Sequence, residues 1–235
     1  MNIQSFENED ALALNAANLI VAEIKRKPNL LLCAATGNTP LITYQNMVEK
    51  LKIEEAAQLR ILKLDEWGGI PISNKGTCEH YLQKHLLNAL QIPKERYFGF
   101  RSQAEYPNTE IERIKEILRK EAPIDICILG LGANGHIAFN EPADALNPNC
   151  HIAHLSQESL QHTMTISMVD KPNYGLTLGM AEILQSKMII MLITGSHKKE
   201  ITKAFLSKKI TTQVPASFLW LHPNVHCFVD KVACG

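Results

Sequence analysis

His136 and Glu141 are the side chains of this sequence best suited to moving protons. Both lie in one glycine-rich stretch, Gly130-Leu131-Gly132-Ala133-Asn134-Gly135-His136-Ile137-Ala138-Phe139-Asn140-Glu141-Pro142. Asn134, two residues before the histidine, can orient an imidazole by a hydrogen bond without carrying charge. A turn with one surface histidine and one surface glutamate would read the same way, because a G-x-G pattern alone is common. A second acidic group, Asp65-Glu66-Trp67, follows the apolar run that ends at Leu64. A carboxylate at the carboxyl end of a strand, facing a crevice, can act as a base, and an ordinary polar strand end is the competing reading. Two further segments could hold an anion. Thr36-Gly37-Asn38-Thr39 precedes Pro40, a good first helical residue, so free backbone N–H groups and the positive helix end would face a bound phosphate. A capped helix start fits the same residues. Gly195-Ser196-His197-Lys198 repeats the arrangement and adds a cationic point charge. Neither segment has the Gly-Lys-Ser/Thr ending of a P-loop, and the first lacks a full G-x-G-x-x-G, which argues against a dinucleotide.

The elements that must position these residues alternate in type. Asp10 to Lys27 has apolar residues at helical spacing and a basic last turn, and Pro28-Asn29 ends it. Leu30–Ala35, Arg60–Leu64, Ile124–Leu129, Met188–Thr194 and Val225–Val229 are apolar runs short enough for buried strands. Helices are expected over Leu41–Lys52, most of Gly76–Leu90, Asn108–Lys120, Gly179–Gln185, Ser196–Leu206 and Val214–Leu221, with a short strand at Tyr97–Phe100. Gly68–Lys75 reads as a loop, and Glu158–Asp170 is ambiguous. Strands alternating with helices predict an α/β three-layer sandwich: a mostly parallel, Rossmann-like sheet with helices on both faces. No linker, repeat or low-complexity segment divides the chain, so residues 1–235 are expected to form a single domain.

The segment Gly130 to Pro142 closely resembles the G-x-G-x-[DN]-G-H-[IL]-x-x-N-E-P signature of the hexosamine-6-phosphate isomerase/deaminase family. The related 6-phosphogluconolactonases share the Gly-His but lack Asn-Glu-Pro, and usually read D-E-R where this chain has Asp65-Glu66-Trp67. The resemblance runs from about Leu30 to Val229, with four motifs in family order. It implies that Asp65 takes the C2 proton of an amino-sugar phosphate. It also implies that His136, oriented by Glu141 and Asn134, opens the sugar ring. Thr36, Gly37, Asn38, Thr39 and Lys198 would hold the phosphate, while Lys199 is expected to face solvent. Leu64-Asp-Glu-Trp, Gly76-Thr-Cys-Glu and Pro215-Ala-Ser-Phe-Leu-Trp-Leu-His look most like the galactosamine-6-phosphate isomerase branch, as does Asn134 in place of aspartate. No arginine occurs between Ser156 and Lys171, where the hexameric deaminases use arginines, so allosteric control is not expected. The implied reaction, galactosamine 6-phosphate to tagatose 6-phosphate plus ammonia, involves no redox change, so no cofactor is required, and side-chain acids and bases call for no metal. Glucosamine 6-phosphate is the alternative substrate. A lactone hydrolase or a non-catalytic sugar-phosphate sensor would share the fold.

Composition bounds the rest. Lys plus Arg and Asp plus Glu both number 24, so no basic field invites nucleic acid or an anionic membrane. The longest apolar runs are too short to span a bilayer, and the acidic beginning is unlike a signal peptide. Six cysteines without a C-x-x-C pair read as reduced thiols, three of them (Cys33, Cys127, Cys227) in expected strands. His151 and His154 have helical ligand spacing, but no partner nearby completes a metal site. A cytoplasmic enzyme for a small sugar phosphate, monomeric or a small homo-oligomer, is the expectation.

Overall fold

Aliphatic runs without polar alternation can be strands only where both faces are covered. In the computed structural model, which describes residues 1–161, 163–166 and 168–234, three such runs lie at the middle of a sheet. They are β2 (Leu31–Ala34), β6 (Ile126–Gly130) and β9 (Met188–Ile193). Together with β1 (Asn2–Phe6), β3 (Arg60–Lys63), β5 (Tyr97–Phe98) and β10 (Val225–Asp230) they form a seven-stranded sheet ordered β1-β10-β9-β6-β2-β3-β5. Every pairing in it is parallel. Cys33, Cys127 and Cys227 are buried in β2, β6 and β10.

From β2 the chain moves outward through β3 to β5. It then returns to the other side of β2 and moves through β6 and β9 to β10. The order reverses between β2 and β6, and ligands of open α/β sheets bind outside the strand ends at such a switch point. Right-handed crossovers in opposite directions place helices on opposite faces. The helices α1 (Glu9–Arg26) and α2 (Leu41–Lys50) pack on each other, and α2 packs on a π-helical turn (Gln83–Leu87) that continues α3 (Cys78–Leu82). The return strands are joined by α4 (Pro107–Glu121), α5 (Gln157–Leu160), α6 (Thr163–Ile166), α7 (Met180–Leu184) and α8 (Lys199–Leu206).

The structure adds a second sheet that the sequence pattern does not announce. β4 (Asp65–Gly68) pairs antiparallel with β8 (Tyr174–Thr177), which pairs antiparallel with β7 (His151–Ala153). Asp65-Glu66-Trp67 therefore begins a new strand instead of ending β3. The hand-over is direct: Leu64 donates its N–H to Ala34 of the main sheet and accepts from Leu178 beside the small one. Because His151 lies in β7, the helical spacing of His151 and His154 is not realised. Among the described residues no helix is long and apolar enough to cross a membrane.

Candidate active site

The loops that follow β2, β6 and β9, together with the start of β4, converge on one cleft of about 780 Å³. Its lining includes Thr36, Gly37, Asn38 and Thr39, then Asp65, His136 and Lys198. Residues separated by some 160 positions in the chain are thus brought together, each by the end of a strand. Lys199 is exposed, as expected.

After β6 the chain turns through three glycines, two of which have distinct work. Gly135 has φ +92°, a backbone conformation that side chains disfavour. Gly132 is needed for space: a Cβ there would sit 2.4 Å from Cε1 of His136. The imidazole therefore lies against bare backbone. His136 Nδ1 is 2.7 Å from Asn134 Oδ1 and 3.3 Å from Glu141 Oε2. The Asn134 amide in turn donates to Glu141 Oε2 at 2.8 Å. These acceptors place a proton on Nδ1 and leave Nε2 as the reactive nitrogen. Ser159 of α5 donates its hydroxyl to the other oxygen of Glu141. Burial works against the Glu141 charge, but the bonds from His136, Ser159 and Asn134 outweigh it and pull the carboxyl down to about 2. Behind the loop, Ala216 donates its N–H to the Gly135 carbonyl at 3.0 Å, so the Pro215–Leu221 turn backs the site.

Asp65 and Glu66 are neighbours in different worlds. Glu66 is fully buried and accepts from Lys63 Nζ (2.7 Å) and from the backbone N–H groups of Trp67 (2.9 Å), Cys78 (2.9 Å) and Glu79 (2.8 Å). It holds the first turn of α3 and is fully satisfied. Lys63, also buried, is shared with Glu79 at 2.8 Å. Asp65 receives much less, a thiol contact from Cys78 at 3.8 Å. Burial first, and then the Glu66 charge, push Asp65 up to about 7, against the pull of His136, Lys63 and Cys78. A carboxylate poised there can take a proton from carbon near neutral pH and give it back. Trp67 packs on Phe139 with ring centroids 4.5 Å apart, so aromatic surface closes the cleft beside the base.

At the other end, no side chain caps the first turn of α2, so the helix start that follows Thr36–Pro40 is open to an anion. Burial lowers the Lys198 ammonium to about 8, with Asp230 and Glu9 opposing. Among the described residues it makes no ion pair, which leaves it available to a ligand. Sequence reasoning missed Ser159, Cys78, Glu9 and Asp230. Ser159 falls in the stretch read as ambiguous, Cys78 lies in the Gly76-Thr-Cys-Glu segment but was given no role there, and Glu9 and Asp230 carry no local pattern.

The family described as glucosamine-6-phosphate isomerases/6-phosphogluconolactonase matches residues 6–227. The chain is 40% identical over 230 residues to a protein of Escherichia coli (strain K12) named "Putative deaminase AgaI", covering 97% of this chain and 91% of that one. It is 32% identical over 237 residues to the glucosamine-6-phosphate deaminase of Bacillus pumilus (strain SAFR-032), covering 99% and 98%. The solved structure of a monomeric glucosamine-6-phosphate deaminase superposes with a TM-score of 0.92 at 29% identity, covering 99% and 98%. The 6-phosphogluconolactonase of Trypanosoma brucei, at a TM-score of 0.77 and 22% identity with 99% and 97% covered, shares the fold. A match running from residue 6 to residue 227 leaves little of the chain outside it: this protein belongs to the family of glucosamine-6-phosphate isomerases and 6-phosphogluconolactonases, and it is an enzyme of that family.

Proposed function

We propose that the enzyme isomerises and deaminates a 2-amino-2-deoxyhexose 6-phosphate, with galactosamine 6-phosphate preferred and tagatose 6-phosphate and ammonia as products. The observation that carries this reading is the opposite tuning of two carboxyls around one cleft: Asp65 is raised to about 7, while Glu141, behind His136, is held at about 2. One is a base for a carbon acid and the other keeps an imidazole oriented.

Thr36–Thr39 and Lys198 hold the phosphate. His136 moves the O1 proton to the ring oxygen, which opens the pyranose and exposes the C1 aldehyde. Asp65 then takes the C2 proton, giving a cis-enolamine, and returns a proton to C1. The resulting C2 imine is hydrolysed by one water to the ketose and ammonia. Atoms and electrons balance without an oxidant or reductant.

Support for the galactosamine epimer comes from Leu64-Asp-Glu-Trp, Gly76-Thr-Cys-Glu and Asn134, which match that branch. A second reading, glucosamine 6-phosphate, is favoured by the relative from Bacillus pumilus, whose name gives that substrate. The deciding experiment measures ammonia release from both C4 epimers. A higher kcat/KM for galactosamine 6-phosphate is expected; preference for the glucosamine epimer overturns the branch assignment, and no ammonia from either overturns the reaction.

A further inference from the structure

Asp65 must be held in place and still be left basic, and the residue that does this lies in the Gly76-Thr-Cys-Glu segment, to whose cysteine no role has been given. Cys78 opens α3, and its N–H is tied to Glu66 Oε1 at 2.9 Å, which fixes the direction of its side chain. The thiol sits between Thr36 Oγ1, 3.2 Å away, and Asp65 Oδ1, 3.8 Å away. Among the described residues it is the donor that reaches the Asp65 carboxylate. We propose that Cys78 is a positioning residue for the base, its S–H donating to Asp65 while its sulfur accepts from Thr36, so that one thiol links the base to the phosphate loop. The proposal rests on the reading of Asp65 as the base.

Three observations favour it over plain core packing. Burial, reinforced by Glu66 and Asp65, pushes the Cys78 thiol well above its ordinary range, so it remains an S–H donor and is no nucleophile. A thiol is a weak donor. It can orient a carboxylate while lowering its basicity less than a stronger N–H or O–H donor would. Cys78 also lines the cleft itself, although it is only 1% exposed. The other groups that face Asp65 are Glu66 on its own strand, Lys63 on β3, His136 after β6, Cys33 on β2 and Tyr44 on α2. None of these donates a hydrogen bond to it among the described residues.

The test is the titration of the Asp65 carboxyl in the full substrate-free protein, followed by carbon-13 NMR. The signal is assigned by its loss in Asp65→Asn. In Cys78→Ala the midpoint should rise by about half a unit to one unit, because a donor to the charged form is gone. A titration that superimposes on wild type would falsify the proposal. Cys78→Ser, nearly isosteric, keeps the measurement decisive should the alanine variant not fold. Its hydroxyl is the stronger donor, so the midpoint should stay at or below the wild-type value, and a rise would count against the link. The acid limb of kcat/KM should move with the midpoint in each variant. Failure of every form to release ammonia would remove the deaminase reading while leaving the titration result standing.

Discussion

Adjacent acids can differ more than distant ones, and Asp65 and Glu66 show why. Glu66 accepts four hydrogen bonds and has no capacity left for substrate; Asp65 accepts one weak bond and faces the cleft. Asp65→Asn should therefore lower kcat by about 10²–10⁴ with KM nearly unchanged, the usual cost of losing a positioned base. Retention of wild-type exchange of the substrate C2 hydrogen with solvent would sink the assignment. In the wild type, kcat/KM should fall as pH drops through about 7, where Asp65 gains its proton; an acid limb centred near pH 4 would show another group at work. The sequence pointed to Asp65 over Glu66 through resemblance alone. Nothing in the Asp-Glu pair says which acid will be saturated, because three of the four donors come from β3 and α3, up to 13 residues away. His136, Asn134 and Glu141 were more legible, since eight residues of one loop contain their mutual bonds.

At the scale of elements, the long apolar strands were readable and the small sheet was not. β4 is buried throughout, as β3 nearly is, so hydropathy gives no sign of where one ends and the next begins. β7 and β8 have three and four residues, too few for a period to show, and β1 is largely exposed. That small sheet carries the base, and its anchor is testable. Glu66→Gln would put an amide N–H₂ against buried donors and leave Lys63 under-compensated. Such a loss of one partner in a buried pair costs about 3–5 kcal/mol, which urea unfolding would register; a change under about 1 kcal/mol would mean water reaches the pair. The loop after β9 gives a different expectation. Lys198→Ala should raise KM with little effect on kcat, because phosphate is held in ground and transition states alike. The wild-type KM should also climb above about pH 8 as Lys198 loses its charge. A severe drop in kcat at unchanged KM would instead place Lys198 in the chemistry.

Among the groups that couple stability to pH, the same two carboxyls act with opposite sign. Asp65 binds its proton more tightly folded than unfolded, so its contribution to stability is present below the ordinary aspartate range and lost as pH rises through about 7. Glu141 binds its proton less tightly when folded, so it stabilises above its ordinary value of 4.5 and that contribution fades as pH falls towards about 2. Asp65→Asn should therefore melt several degrees above wild type at pH 8, with the gap closing towards pH 4. An inactive variant that is also less stable at pH 8 would contradict the burial argument for the base.

One pairing in the sheet has a consequence for how the molecule is assembled. β1 finds its partner in β10, with Asn2 beside His226 and Phe6 beside Asp230. The two strands are far apart in sequence, and loop closure over such a span is slow. Until then β1 is an unpaired edge, the kind of segment that recruits other chains. Asn8 and Glu9, just past β1, border the same cleft as Lys198 and Asp230. The anion end of the site thus depends on a long-range pairing, and a refolding chain should acquire its base before it can hold a phosphate. Pulse-labelled hydrogen exchange during refolding should show amides of β1 and β10 protected after those of β2 and β6; simultaneous protection would make the sheet a single cooperative unit.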